Sequence, residues 1–198
     1  MSEEPPSPSV EIAVVVQDSA WCEALRESAE LARRAARAAL RQQYGVRARS
    51  AEPGAPGAEP AMAASELTVV LADDRLLRRL NRKYRGQDRA TNVLSFAGLD
   101  GPSELRPEAP RLLGDVVLAR ETVFREARAQ SKTPGEHLSH LVVHGVLHLL
   151  GFDHETEAQA ESMEAVECAV LAGLGIADPY GMRQAPCPAR GRPGSGND

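Results

Sequence analysis

Apolar positions along this chain fall into short alternating runs and longer stretches at three- and four-residue spacing, which predict strands and helices in turn. Val10 to Val16 is a β-branched run and reads as a strand. Ser19 can cap a helix that places Trp21, Leu25, Ala32, Ala36 and Leu40 near one stripe, with Gly45 as its stop. Ser65 to Ala72 predicts a second strand. Asp74 is a candidate N-cap for a helix whose Leu76, Leu77, Leu80 and Tyr84 form one face, leaving Arg75, Arg78, Arg79 and Arg82 for the other. Thr91 to Ala97 and Leu112 to Ala119 predict two more strands. Helices follow from about Glu121 to Gln130, from Pro134 to Leu150 and from about Ala158 to Leu174. The expected fold is α+β, a single domain with a small mixed sheet of about four strands packed with about five helices, the 134–150 helix central.

A length of 198 residues suits one domain, placed here at 10–183. Residues 1–9, the Ala/Pro/Gly insertion at about 48–64 and the Pro/Gly/Arg tail at 184–198 have little to bury and are expected to be flexible. No run approaches the ~18–20 apolar residues of a membrane span, and the acidic, Pro-rich start is unlike a signal peptide. Three cysteines, far apart and without a CxxC pair, indicate neither a disulfide framework nor a thiolate zinc site. The expectation is a soluble protein of the reducing cytoplasm.

Charge changes this picture only when resolved along the chain. The total of 23 basic against 28 acidic residues gives a net charge of −5, which taken alone points away from nucleic acid. Residues 26–49, however, carry seven Arg against two Glu, and residues 75–89 carry seven basic groups against one Asp. Residues 133–182 carry eight acids and no Lys or Arg. The acids of the last helix, Glu155, Glu157, Glu161, Glu164 and Glu167, read as a solvated face.

All five histidines fall in one 18-residue window. On a helix His137, His140, His144 and His148 share a stripe roughly 80° wide, opposite Leu138, Val142, Val143, Val146 and Leu149. His144 and His148, one turn apart, can reach one ion at ~2.0–2.1 Å. Gly151 can end the helix in the left-handed conformation and return His154 toward the same ion. The internal rival is a site of His140, His144 and His148. The spacing matches the metzincin protease frame, but Gly145 stands where those enzymes carry their Glu base. Three neutral ligands leave an ion fully charged, with an open position suited to an anionic phosphodiester.

Four segments, LNRKYRGQDRATNVLSF, LLGDVVLA, HLVVHGVLHLLGFDH and MEAVECAVLAGLGIADPYG, closely resemble the YbeY family of bacterial metallo-endoribonucleases, over about residues 67–181. The resemblance implies a zinc-dependent, single-strand-specific endoribonuclease acting in 16S rRNA 3′-end maturation and late ribosome quality control. It implies one Zn2+ held by His144, His148 and His154, and a phosphate-holding Arg85 near the metal. His148 and Arg85 are then the expected catalytic residues, and Arg82, Lys83, Arg85 and Arg89 the expected RNA contacts. Expected partners are single-stranded RNA, the 16S rRNA precursor and the ribosome or small-subunit proteins, with neither membrane nor DNA. Asp88 and Asp153 are candidates for a general base. Two rival readings stay open: a non-catalytic ribosome-assembly factor stabilised by zinc, and a metal-dependent hydrolase of another substrate.

Overall fold

A computed structural model describes residues 10–50, 65–98 and 111–181, with the backbone alone for 43–50 and Arg111. The expectations for residues 1–9, 51–64 and 184–198 lie outside the described residues.

The four strands expected from alternation are present: β1 (Val10–Val16), β2 (Ser65–Ala72), β3 (Val93–Ala97) and β4 (Arg111–Ala119). They form one mixed sheet in the order β1-β2-β4-β3, with β1, β2 and β4 parallel and β3 antiparallel to β4. Alternate residues of the two central strands point to opposite faces, so each strand feeds two cores. Leu67, Val69 and Leu71 of β2 and Val116 and Leu118 of β4 join the larger core. Ala72, Val117 and Ala119 join the smaller one, with Leu77 and Leu94.

Six helices flank the sheet among the described residues: α1 (Ala20–Ala24), α2 (Ser28–Ser50), α3 (Asp74–Arg85), α4 (Arg120–Ala129), α5 (Pro134–Leu149) and α6 (Glu157–Gly173). Helices α2, α5 and α6 bury their apolar stripes in the larger core, while α3 packs on the opposite face through Leu77, Leu76 and Leu80. The single helix expected from Ser19 is two, because the backbone leaves the helical region at Leu25 (φ −147°, ψ 89°). Trp21 is the cause we assign. Its buried indole N–H donates to the Ala72 carbonyl at 2.8 Å, an anchor that outweighs helical continuity. Gly45 is not a stop, since α2 continues to Ser50. A helix-interior glycine costs only ~1 kcal/mol relative to alanine, too little to end a long helix. Asp73, not Asp74, caps α3 by accepting from Leu76 N–H at 2.8 Å. Asp74, one residue into the helix, accepts from Thr122 N–H (3.0 Å) and Oγ1 (2.7 Å), tying α3 to α4. Tyr84 leaves the buried face it was assigned: it is 58% exposed and sits edge-on to Phe96.

Helix α5 begins with a full capping box, Thr133 and Glu136 each satisfying the other's backbone N–H, and Pro134 occupies its first turn. It then crosses the sheet at close range. A Cβ placed on Gly145 would stand 2.6 Å from Val116 Cγ1 and 3.0 Å from Ser95 Oγ, and the Ser95 hydroxyl donates to the Gly145 carbonyl at 3.0 Å. Val116 is fully buried and β-branched, so it has no easy rotamer to yield into. Gly145→Ala is therefore expected to cost about 1–3 kcal/mol by overpacking, read from a shift in the urea midpoint at unchanged slope.

Candidate metal centre

Helix α5 packs closely on the sheet at Gly145, and its four histidines, with His154 beyond its end, divide by partner. His137, 3% exposed, donates from Nε2 to Glu126 Oε2 at 2.9 Å, and Asn92 Nδ2 donates to the same oxygen at 2.9 Å. His140 donates from Nε2 to Glu167 Oε2 at 3.2 Å. Neither belongs to the metal cluster. Candidate ligand atoms of His144, His148 and His154 all lie within 4.8 Å of one another, a grouping that does not include His140.

Two of the three candidate rings are steered by partners of their own. The Glu167 carboxylate can only accept, so His144 donates to it from Nδ1 (2.8 Å) and Nε2 keeps its lone pair. The Phe152 carbonyl likewise accepts from His148 Nδ1 at 3.0 Å and leaves Nε2 unprotonated. Those two Nε2 atoms face each other at 3.1 Å. With both protons committed elsewhere, two lone pairs meet there, an arrangement that a shared cation relieves. The residues present thus fit a metal. Gly151, at φ +88°, makes the turn after α5, and the Asp153 carboxylate accepts from His154 N–H at 2.8 Å, shaping the segment that returns the third imidazole. Burial, helped by the positive charge of His144 and His154 when protonated, holds the His148 pKa below its ordinary value and favours its ligating form.

Glu167 is a correction to the expected solvated acidic face. It is fully buried, and it accepts from His140, His144 and the Tyr180 hydroxyl together. Burial alone would push this carboxyl up, but the three hydrogen bonds outweigh it and hold the group at about 2. The signal was present in the chain, for Glu167 falls at helical spacing within the stripe of Met163, Val170 and Leu171. An acid inside an apolar stripe needs a partner.

Arg82, Lys83, Arg85 and Arg89 are exposed at the end of α3, whose Leu76, Leu77 and Leu80 pack in the smaller core, and in the loop after it. Among the described residues no hydrogen bond or ion pair joins them to the three histidines. β3 is an edge strand of the sheet, and its Ser95 touches Gly145 next to His144. Lys83 Nζ stands 4.9 Å from the Tyr84 ring centre, and Arg89 donates to Gln87. Asp88 is held by a two-pronged pair with Arg78 (2.8 and 2.9 Å), and this pairing lowers its pKa. It is engaged as an ion-pair partner, not free as a base. Asn81, which the sequence reading missed, is buried and donates to the Arg89 carbonyl at 2.8 Å, folding the basic loop back on α3. Because Val116 fills the space beside Gly145, no carboxylate can stand at the metzincin position.

Fold and site together describe an α+β domain in which three clustered imidazoles could hold a metal ion. A model of the family described as "Endoribonuclease YbeY" matches residues 39–175. Endoribonuclease YbeY of Azorhizobium caulinodans is 48% identical over 173 residues, covering 87% of this chain and 98% of that protein. The Paramagnetospirillum magneticum protein of the same name is 48% identical over 174 residues, covering 87% and 97%. A Thermotoga maritima protein solved in solution is 22% identical with a TM-score of 0.45, over 84% of this chain and 92% of its own. The chain belongs to the endoribonuclease YbeY family. Among the described residues no helix is long and apolar enough to cross a membrane, and Cys22 and Cys168 are free.

Two outcomes follow from the Glu167 contacts. Glu167→Gln should weaken divalent-metal affinity about 10- to 100-fold, measured by competition with a chromophoric chelator. The folded carboxyl sits near 2 against an ordinary 4.5, so its stabilisation is fully present above pH 4.5 and is lost as the pH falls toward 2. Melting of the metal-free protein should lose stability over that window, and less steeply in Glu167→Gln.

Proposed function

We propose that this protein is a zinc-dependent endoribonuclease that cleaves single-stranded RNA, in the cytoplasm, during 16S rRNA 3′-end maturation and late ribosome quality control. The observation that carries the reading is the facing pair of unprotonated Nε2 atoms on His144 and His148, with His154 beside them, in a chain of this family. Three imidazoles favour zinc among common ions, and they add no negative charge that would repel a phosphodiester. Bound zinc supplies Lewis acidity to a phosphoryl oxygen.

The chain's own residues do the rest. His144, His148 and His154 hold the ion, while Glu167 and the Phe152 carbonyl keep two of those rings in the ligating tautomer. Arg85, exposed and without an ion pair among the described residues, is free to fork onto a phosphate and offset the charge that develops during cleavage. Arg82, Lys83 and Arg89 extend that contact along the RNA backbone. RNA reaching from α3 to the histidines passes the edge of β3. Ribosomal RNA and small-subunit proteins supply the sequence selection that such backbone contacts lack. The relatives named above are endoribonucleases, which favours RNA cleavage over a purely structural zinc site or hydrolysis of another substrate.

The test is cleavage of labelled single-stranded RNA by folded variants. His148→Ala should abolish cleavage, and Arg85→Ala should lower kcat/KM by about 10²- to 10³-fold. In cells lacking the protein, mature 16S 3′ ends should return with the wild type and not with His148→Ala. Undiminished cleavage by either variant sinks the assignment. Binding should weaken steeply with salt, and neutralising Arg82 and Lys83 together should lower the log–log slope by about 1.4, at ~0.7 per phosphate contact.

A further inference from the structure

Beyond α3, one other arginine cluster is built into the described surface. Arg34, Arg37 and Arg41 of α2 are all exposed and recur at three- and four-residue spacing, which puts them within an arc of about 60° and spreads them over about 10 Å of helix. They line one wall of a groove of about 450 Å³ whose other wall is the C-terminal half of α6, at Ala169, Gly173 and Leu174. No ion pair or hydrogen bond of these three side chains occurs among the described residues, although the neighbouring Arg33 pairs with Glu30 at 3.0 Å.

An acidic chain with 28 carboxylates has thus left three like charges side by side without a described counter-ion. That arrangement is repulsive by itself and is relieved by an external anion. The guanidinium fork suits phosphate oxygens, and the length of the row suits a run of successive phosphates better than a single small anion. The groove lining contains no aromatic side chain on which a base could stack, so recognition there is of backbone and not of bases. The site is separate from the metal centre. Ala169 and Glu167, two residues apart on α6, point about 200° away from each other, which places α6 between the groove and the histidines.

We propose that the groove between α2 and α6 binds the phosphodiester backbone of RNA outside the cleavage site, through Arg34, Arg37 and Arg41. This rests on the endoribonuclease reading for its substrate class. Long RNA is then held at two places, one at the metal and one behind α6, whereas a short oligonucleotide engages the metal site alone.

The experiment compares the full-length wild type with a triple variant, Arg34→Gln, Arg37→Gln and Arg41→Gln, whose exposed positions leave the core untouched. Arg33→Gln is the control, and melting curves confirm that all three proteins fold. Binding to labelled single-stranded RNAs of 30 and 6 nucleotides is read by fluorescence anisotropy on chelator-treated protein, and cleavage of the 6-mer is read with zinc restored. The triple variant should bind the 30-mer about 10- to 30-fold more weakly, with a salt slope smaller by about 2 for three lost contacts. Its cleavage of the 6-mer should match the wild type, and Arg33→Gln should match it throughout. Unchanged 30-mer affinity and slope in the triple variant overturn the proposal. So does a groove that loses labelled poly-glutamate and not RNA, which would mark an acidic protein as its occupant. Failure of the wild type to cleave either RNA overturns the endoribonuclease reading instead, while the anisotropy result still decides the groove.

Discussion

Helix α5 must do two things that pull against each other, and the contact at Gly145 reconciles them. One side of the helix lies so close to β4 and β3 that Val116 and the Ser95 hydroxyl occupy the space of a side chain. The adjoining stripe must carry polar imidazoles at a depth where only a fixed geometry makes them useful. A helix seated without play on a sheet transmits that rigidity to every residue along it. His144 and His148 flank the contact, so their positions relative to each other are set by the helix and their positions relative to the fold by the sheet.

The same helix shows how buried polarity is distributed. Its first two histidines engage carboxylates, Glu126 from α4 and Glu167 from α6, and act as struts between layers. The next two turn their outer nitrogens toward the metal position and use their inner ones for orientation. Glu167 serves both groups and takes the Tyr180 hydroxyl as well. A buried carboxylate with a single partner is a liability, because its lost hydration is repaid only when its oxygens are well satisfied. Here the surrounding donors keep it ionised, and an ionised carboxylate fixes the tautomer of the histidine beside it.

Charge on this protein is arranged by surface and not by sum. Helix α3 carries an arginine-rich exposed face, α2 carries a second basic row, and α6 exposes acids at Glu157 and Glu161. A net charge of −5 describes none of these faces. Local basic rows on an otherwise acidic body give the surface a potential that changes sign from face to face, which the net charge averages away.

Much of this was legible in the chain itself. Strand alternation and helical spacing are local properties, so the strands, the histidine helix with its Pro134 start and the Gly151 turn could all be read directly. The convergence of His144, His148 and His154 followed from an i, i+4 pair plus one turn. What stayed illegible depended on distant partners. The break at Leu25 comes with Trp21 reaching Ala72 across the sheet, Asn81 earns its burial by bonding the Arg89 carbonyl, and Glu167 looks like one more surface acid until α5 is packed against α6. By itself, then, the sequence determined which elements form and which imidazoles share a face, because backbone periodicity is a property of neighbours. Only the tertiary structure decided which histidines meet carboxylates and which three converge, because that choice rests on groups brought together from separate helices.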